Sequence, residues 1–409
     1  MLSLHTARER ATPPSAAPKI GLAVAGGGPI GGMYELGALR ALDEAIAGLD
    51  LTRLDCYVGV SSGAFLAAGL ANRMGTDAMC RIFITGDSDD VQFRPETFLR
   101  PAFFEYMRRA ASAPRLAMEW WRDMVFPRGD SRWSDAIQHF GGLVPTGLFD
   151  SSEIEHFLRD VFTRRGRSND FRTLPAALFV IAVELDSGKV VRFGGEDWDD
   201  IPISRAVQAS AALPGLYAPV EVRGRHFVDG ALRRTMHASV VLDRGVDLMI
   251  GLNPLVPFDA NREAPDGIHQ RLSEGGLPVV LSQTFRTLLQ SRMQVGLQRY
   301  AQTYPNIDQL VFEPNSDDGE LFFTNVFSFS ARRRVAELAY RNTLDDLRRR
   351  AKELVPVLEA HGLSLRYDVV NDQARSIVDG LPKVPRATET TARLRRALDE
   401  VDHLISTKP

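Results

Sequence analysis

The pentapeptide Gly59-Val60-Ser61-Ser62-Gly63 constrains this chain more than any other stretch, because two glycines bracket a serine where an apolar run gives way to a helical one. Leu54 and Tyr57-Val58 upstream have the aromatic and β-branched character of a buried strand, and Ala64-Phe65-Leu66-Ala67-Ala68 downstream are helix formers. G-x-S-x-G between a strand and a helix is the pattern of a nucleophile elbow, in which a serine hydroxyl stands above the sheet. Gly59 and Gly63 let the backbone turn without a Cβ clash, and the helix start offers unpaired N–H groups beside the hydroxyl. The pattern alone is also that of a small-residue turn, so its meaning depends on what accompanies it.

A glycine loop precedes it. Ile20 to Ala25 reads as a buried strand, and Gly26-Gly27-Gly28-Pro29-Ile30-Gly31-Gly32 leads into a helix with Met33, Leu36, Leu39, Leu42 and Ile46 on its apolar face. Consecutive glycines let backbone amides face a phosphate or the oxyanion of an acyl-transfer intermediate. Gly26, Gly28 and Gly31 also satisfy the dinucleotide fingerprint, which requires an acidic residue closing a second strand about twenty positions on. Asp50 and Asp55 flank a polar turn instead. A turn needed only for close packing is the third reading of this loop.

Far downstream, Gln208-Ala209-Ser210-Ala211-Ala212-Leu213-Pro214-Gly215 ends a helix, and two short strand patterns follow, the second closing on Asp229-Gly230-Ala231. A glycine loop, a G-x-S-x-G elbow, an A-S-x-A-x-P-G segment and a final D-G-[GA], in that order from Ile20 to Leu252, resemble the patatin-like phospholipase family. The resemblance implies a Ser-Asp dyad with Ser61 as nucleophile and Asp229 as its base. It maps Gly26, Gly27 and Gly28 to the oxyanion loop, with the Ser62 amide beside them, and implies a lipid or phospholipid substrate and no metal or organic cofactor. Ile30 stands where the family usually carries Arg or Lys, and Ala25 where plant patatins tend to have Asp. Neither departure removes an amide, although Ile30 forgoes any help from a basic side chain.

The residues support this chemistry on their own terms. A serine hydroxyl needs a base, and Ser61 and Asp229 are 168 positions apart, so only the fold can join them. Desolvation among Phe227, Val228 and Leu232 would raise the Asp229 pKa toward a useful range. Taken alone, Asp229 is also an ordinary turn residue before glycine. A Ser-Asp-His triad is the rival arrangement, with His237, His269, His361 and His403 following Asp229 and His226 just before it, none in a recognisable motif. Two further functional readings stay open: a short-chain esterase or thioesterase using the same dyad, and a noncatalytic nucleotide-binding or scaffold protein using only the glycine loop.

Composition narrows the surroundings. A net charge of -3 argues against general nucleic-acid binding. Two cysteines, Cys56 and Cys80, give no disulfide framework and make a reducing cytoplasm the simpler home. No stretch is long and apolar enough for a membrane span, so any membrane contact is peripheral.

The expected architecture is an α/β/α three-layer sandwich with a mixed, mostly parallel central sheet, a helical insertion and C-terminal helices. Residues 1–18 read as a disordered lead and 19–330 as the catalytic domain. Within it, an insertion over about 75–150 holds Phe98, Phe103, Phe104, Tyr106, Trp120, Trp121 and Trp133, either an apolar subdomain or an acyl-chain and lipid-facing surface. Leu178–Glu184 and Lys189–Phe193 around Asp186-Ser187-Gly188 read as a hairpin, and Asp247–Leu252 and Gln309–Phe312 as further strands. Residues 255–276 read as a flexible linker or lid. The 331–409 region reads as helical, with Val335, Leu338, Leu344, Leu347, Leu354 and Leu358 at helical spacing beside two Arg triplets whose face is solvated rather than membrane-bound.

Overall fold

A computed structural model describes residues 1–7, 18–88, 91, 93, 100–102, 146–259, 272–315 and 329–381. Its frame is a nine-stranded mixed sheet built from β1 (Leu2–His5), β2 (Ile20–Val24), β3 (Cys56–Val60), β4 (Ala177–Glu184), β5 (Val190–Phe193), β6 (Val220–Val222), β7 (Arg225–Asp229), β8 (Leu248–Leu252) and β9 (Asp308–Phe312). The strand order is β1-β9-β8-β2-β3-β4-β7-β6, with β5 pairing β4. From β9 to β4 the neighbours run parallel, and β1, β5, β6 and β7 add antiparallel margins. The hairpin expected around Asp186-Ser187-Gly188 is β4–β5.

The central strands are apolar along their whole length because both faces are covered. Leu22, Val24, Tyr57, Leu178, Val180, Leu248 and Ile250 point into one core. Ala23, Cys56, Val58, Val60, Phe179, Ile181 and Met249 point into a second. This period-two division, with helices on each side, is the three-layer sandwich. The first core is closed by α1 (Gly28–Ala45), α2 (Ser62–Ala71), α3 (Ser152–Phe162), α4 (Ile203–Ser210), α6 (Phe329–Arg349) and α7 (Ala351–Ala360). The second is closed by the short helix Ser239–Leu242 and by Met293 and Tyr300 of α5 (Gly276–Thr303).

The C-terminal helices share the core of the sheet. A Cβ on Gly37 of α1 would lie 2.2 Å from the carbonyl oxygen of Ala336, so the two helices cross at backbone contact. Val335, Ala339, Tyr340, Leu344 and Leu347 of α6 are buried against that crossing. Three of its arginines are tied to acids of the same helix, Arg341 to Glu337 and Arg348 and Arg349 to Asp345, in keeping with a solvated outer face.

The reading of residues 1–18 as a disordered lead is corrected over its first part. Leu2–His5 pairs antiparallel with β9, Leu2 opposite Phe312, and Leu2 is buried. Four residues alternating apolar with polar are too short to announce a strand, and the pairing is made with a segment some three hundred positions away. Residues 8–17 lie outside the described residues, as do the aromatic residues from Phe98 to Trp133 and the centre of the proposed linker, 260–271. The start of that linker is anchored: the Gln283 side chain donates to the Phe258 carbonyl at 2.6 Å and accepts from its N–H at 3.1 Å.

Candidate active site

Ser61 occupies the corner between β3 and α2 with φ 51° and ψ -120°, a left-handed conformation that a non-glycine residue adopts only under constraint. The flanking glycines are required by close approach. A Cβ on Gly63 would sit 2.3 Å from the Ala25 carbonyl oxygen, and one on Gly59 would sit 2.4 Å from the Ala64 Cα, so helix and strand touch with no space for a side chain. The strained backbone is held from outside: the Ser61 N–H donates to Ser210 Oγ at 2.8 Å, and that hydroxyl donates to the Ile181 carbonyl at 2.5 Å.

The long chain separation between serine and aspartate closes on β4. Val60 pairs with Ile181 and Asp229 pairs with Ala182, so consecutive residues of one strand carry the two partners. The Asp229 N–H is fixed by the Ala212 carbonyl at 3.0 Å. The A-S-A-A-L-P-G segment is thus a clamp, gripping Ser61 through Ser210 and Asp229 through Ala212. Gly26 fills the remaining gap, for a Cβ there would lie 3.0 Å from that of Ser61 and 3.2 Å from that of Ala231.

The Asp229 carboxylate accepts the Ala231 N–H at 2.8 Å, and the neighbouring Ser61 hydroxyl favours its charged form. Asp229 is buried to 2% exposure and Ser61 to 5%. Burial, acting against the Ser61 hydroxyl and the Ala231 N–H, pushes the Asp229 carboxyl up from 3.8 to about 6. A carboxylate in this state is a usable general base near neutrality.

The glycine loop divides its labour differently from the sequence expectation. The Gly26 N–H donates to the Thr235 carbonyl at 3.1 Å and the Gly27 N–H to Ser62 Oγ at 3.0 Å, so neither amide is available to a substrate oxyanion. Gly28 has φ +63° and open space where a Cβ would be, and its N–H, like that of Ser62, lies in a first helical turn that no helical carbonyl reaches. Ser62 Oγ in turn donates to Glu35 Oε2 at 3.2 Å. Glu35 is fully buried, which raises its pKa well above the usual carboxylate value, with the Ser62 bond opposing. Sequence reasoning gave no part to Glu35, Thr235 or the Ser210 hydroxyl. Ser210 stood inside a recognised segment, and Glu35 was legible as a carboxylate one position from the apolar stripe of α1.

The histidines do not complete a triad among the described residues. His237 hydrogen-bonds the Gly230 carbonyl, and burial lowers its pKa to about 4, so it braces the loop after Asp229 as a neutral ring. His361 Nε2 pairs with Asp308 at 2.7 Å, where β9 begins, and His226 is exposed. His269 and His403 lie outside the described residues. No group of three His, Cys, Asp or Glu side chains able to hold a metal, and no helix long and apolar enough to cross a membrane, occurs among the described residues.

Beside the elbow, Phe65 of α2 joins Phe83, Phe93 and Phe157 in a cluster of rings with centroids 4.9–6.2 Å apart. Phe65, Phe83 and Phe157 of this cluster, with Met79, Leu158 and Val161, line a small apolar hollow beside α2.

A family model described as patatin-like phospholipase matches residues 22–242, more than half of the chain. Among solved structures, VipD from Legionella pneumophila is 18% identical with a TM-score of 0.32, the alignment covering 61% of this chain and 52% of that one. Human GIVD cytosolic phospholipase A2 in complex with methyl gamma-linolenyl fluorophosphonate is 13% identical with a TM-score of 0.32, covering 84% of this chain and 60% of that one. ExoU from the type III secretion system of Pseudomonas aeruginosa, in complex with SpcU, is 15% identical with a TM-score of 0.28, covering 96% and 69%. The chain therefore spans about half to two thirds of the length of these structures.

Proposed function

The chain belongs to the patatin-like phospholipase family, and from that premise we propose that it is a lipid acyl hydrolase, phospholipase A-like, cleaving carboxylic esters through an acyl-Ser61 intermediate. The observation that carries this reading is the strained Ser61 at the strand–helix corner beside a buried Asp229 whose carboxyl burial pushes up to about 6. Ser61 Oγ attacks the ester carbonyl as Asp229 takes its proton, and the Gly28 and Ser62 N–H groups receive the developing oxyanion. The tetrahedral adduct collapses, the alcohol leaves with the proton returned by Asp229, and acyl-Ser61 remains. Asp229 then deprotonates a water that attacks the acyl carbonyl, and the serine leaves, reprotonated, as the fatty acid departs.

A phosphate-binding role for the glycine loop is disfavoured by its own hydrogen bonds. Two of the three amides a phosphate would need are already spent on Thr235 and Ser62, and the strand after the loop ends at Val60 with no acidic residue to hold a ribose.

A fluorophosphonate probe should label the wild type and not Ser61→Ala. Mixed lipid extract incubated with the enzyme should then yield free fatty acid and lysolipid by mass spectrometry. Labelling that survives Ser61→Ala, or fails in the wild type, sinks the proposal. Turnover of small soluble esters alone would favour the short-chain esterase or thioesterase reading.

A further inference from the structure

The helix α5 leaves an apolar stripe facing outward. Leu281, Leu288 and Val295 are 57%, 59% and 65% exposed, with Val280 at 42% beside them. Spaced seven residues apart, they fall within ~20° of one another per step and form one line along a helix ~42 Å long. The opposite side of the same helix, at Leu289, Met293 and Tyr300, is buried against the sheet. Half of the large hydrophobic side chains exposed among the described residues sit on this one element, a concentration that scattered surface apolar residues do not produce.

Its charge is as one-sided as its hydrophobicity. Between Gly276 and Thr303 there is no Asp or Glu, and of its three arginines Arg286 is turned inward, donating to the Val256 carbonyl at 3.4 Å, while Arg292 and Arg299 are exposed. Only Glu274, in the turn before the helix, is acidic nearby in sequence. On α6 Arg341, Arg348 and Arg349 pair with acids of the same helix, whereas α5 carries no acid of its own. In a chain of net charge -3 this is a local cationic surface with an apolar ridge.

The ridge adjoins the catalytic loop. Arg292 Nη1 donates to the Leu232 carbonyl at 3.2 Å, three residues past Asp229, and Leu288 lies one turn before Arg292. Asn253, at the end of β8, donates to Gln290 at 3.1 Å, and Pro254 packs on Gly27 and Gly31 of the glycine loop.

We propose that the outer face of α5 is a docking surface for an anionic lipid bilayer, inserting Leu281, Leu288 and Val295 at the headgroup boundary with Arg292 and Arg299 on the lipid phosphates, so that the Ser61 site meets substrate in the plane of the membrane. An apolar face with cations alone beside it is the composition of an interfacial helix. The inference rests on the lipid reading of the site, and its test separates the two.

Full-length wild type and the Leu281→Ser/Leu288→Ser/Val295→Ser variant are floated with vesicles of phosphatidylcholine alone or with phosphatidylserine added, at low and high salt. Turnover of a soluble butyrate ester and probe labelling of Ser61 are followed in parallel. Wild type should bind the anionic vesicles, release them as salt rises, and lose roughly tenfold or more in partitioning in the triple variant, while soluble-ester turnover stays unchanged. Arg299→Glu should weaken binding without touching the apolar stripe. Equal binding by both proteins, salt-independent binding, or no binding by wild type overturns the docking surface while leaving the labelling result standing. A wild-type dimer that the triple variant dissociates would make the face a contact between copies and overturn it equally. The salt dependence of wild type decides the matter even if the triple variant misfolds.

Discussion

Replacing Asp229 with Asn should abolish turnover and at the same time stabilise the fold above pH 6. Asn has nearly the shape of Asp and can still pair with Ser61, but it carries no charge into a site that is 2% exposed. Burial raises the Asp229 carboxyl from 3.8 to about 6. A carboxyl raised in the folded state supports folding fully only below its unfolded pKa, and that support is lost as pH climbs through the folded value. The difference of about 2 in pKa corresponds to ~3 kcal/mol by which the ionised carboxylate burdens the native state at pH 8. At pH 5 the unfolded chain is largely ionised and the folded one largely protonated, so roughly half of that, ~1.5 kcal/mol, is already present. Below pH 3.8 it vanishes. Urea unfolding of wild type and Asp229→Asn at pH 8 and pH 5 measures it directly. The variant should be more stable by ~3 and ~1.5 kcal/mol at the two values while losing several orders of magnitude in kcat/KM. If the two proteins unfold at the same urea concentration at pH 8, or the variant unfolds earlier, the carboxylate is not strained by burial and the argument for its basicity fails with it.

Ser210→Ala removes the acceptor of the Ser61 N–H and should lower kcat/KM on a soluble ester by roughly 10- to 100-fold through a loosened elbow, with a stability cost of about 1–3 kcal/mol by thermal unfolding; unchanged turnover would show that the elbow holds itself. At Glu35, burial favours the neutral acid, so Glu35→Gln should keep the Ser62 bond and stay within roughly threefold of wild-type kcat/KM. Glu35→Leu should strand the Ser62 hydroxyl and lose about tenfold or more, and steady-state kinetics on the pair separates hydrogen-bond geometry from charge. Gly37→Ala would press a methyl to 2.2 Å from the Ala336 carbonyl, and urea unfolding should find it about 1–3 kcal/mol less stable with kcat/KM per folded molecule unchanged.

What could be read from the sequence was local. Gly59 and Gly63 are needed within five residues of one another because helix and strand touch there, so the elbow announces itself. The central strands are covered on both faces and therefore appear as unbroken apolar runs. The misread or missing elements depend on partners distant in sequence. Leu2–His5 becomes a strand only because β9 lies open beside it. The long helix α5 escaped notice because apolar residues occur on both its sides, one buried and one exposed, which blurs the periodicity that marks an amphipathic helix. The choice of oxyanion amides was hidden for the same reason. Three glycines in a row look alike until Thr235 and Ser62 are known to claim two of them.

Burial moves three titratable groups on the segments beside Ser61 toward the neutral form: Glu35 upward, His237 down to about 4, and Asp229 up to about 6. The difference among them lies in what opposes burial. Glu35 has one hydrogen bond to its charged form, from Ser62, and an oxygen with no partner among the described residues. Asp229 has the Ser61 hydroxyl beside it and the Ala231 amide bonded to it, and the second is fixed by the turn that follows β7. That added N–H helps keep the Asp229 carboxylate ionised at neutral pH where burial alone would carry it higher, and it does so without a cation that would make the group too weak a base. His237 meanwhile bonds the Gly230 carbonyl and does not reach the serine, so it steadies the loop that supplies that N–H rather than competing for the proton. A two-residue mechanism needs one group charged and its neighbours silent, and the positions of Glu35, Asp229 and His237 around Ser61 meet that requirement by burial and hydrogen bonding alone.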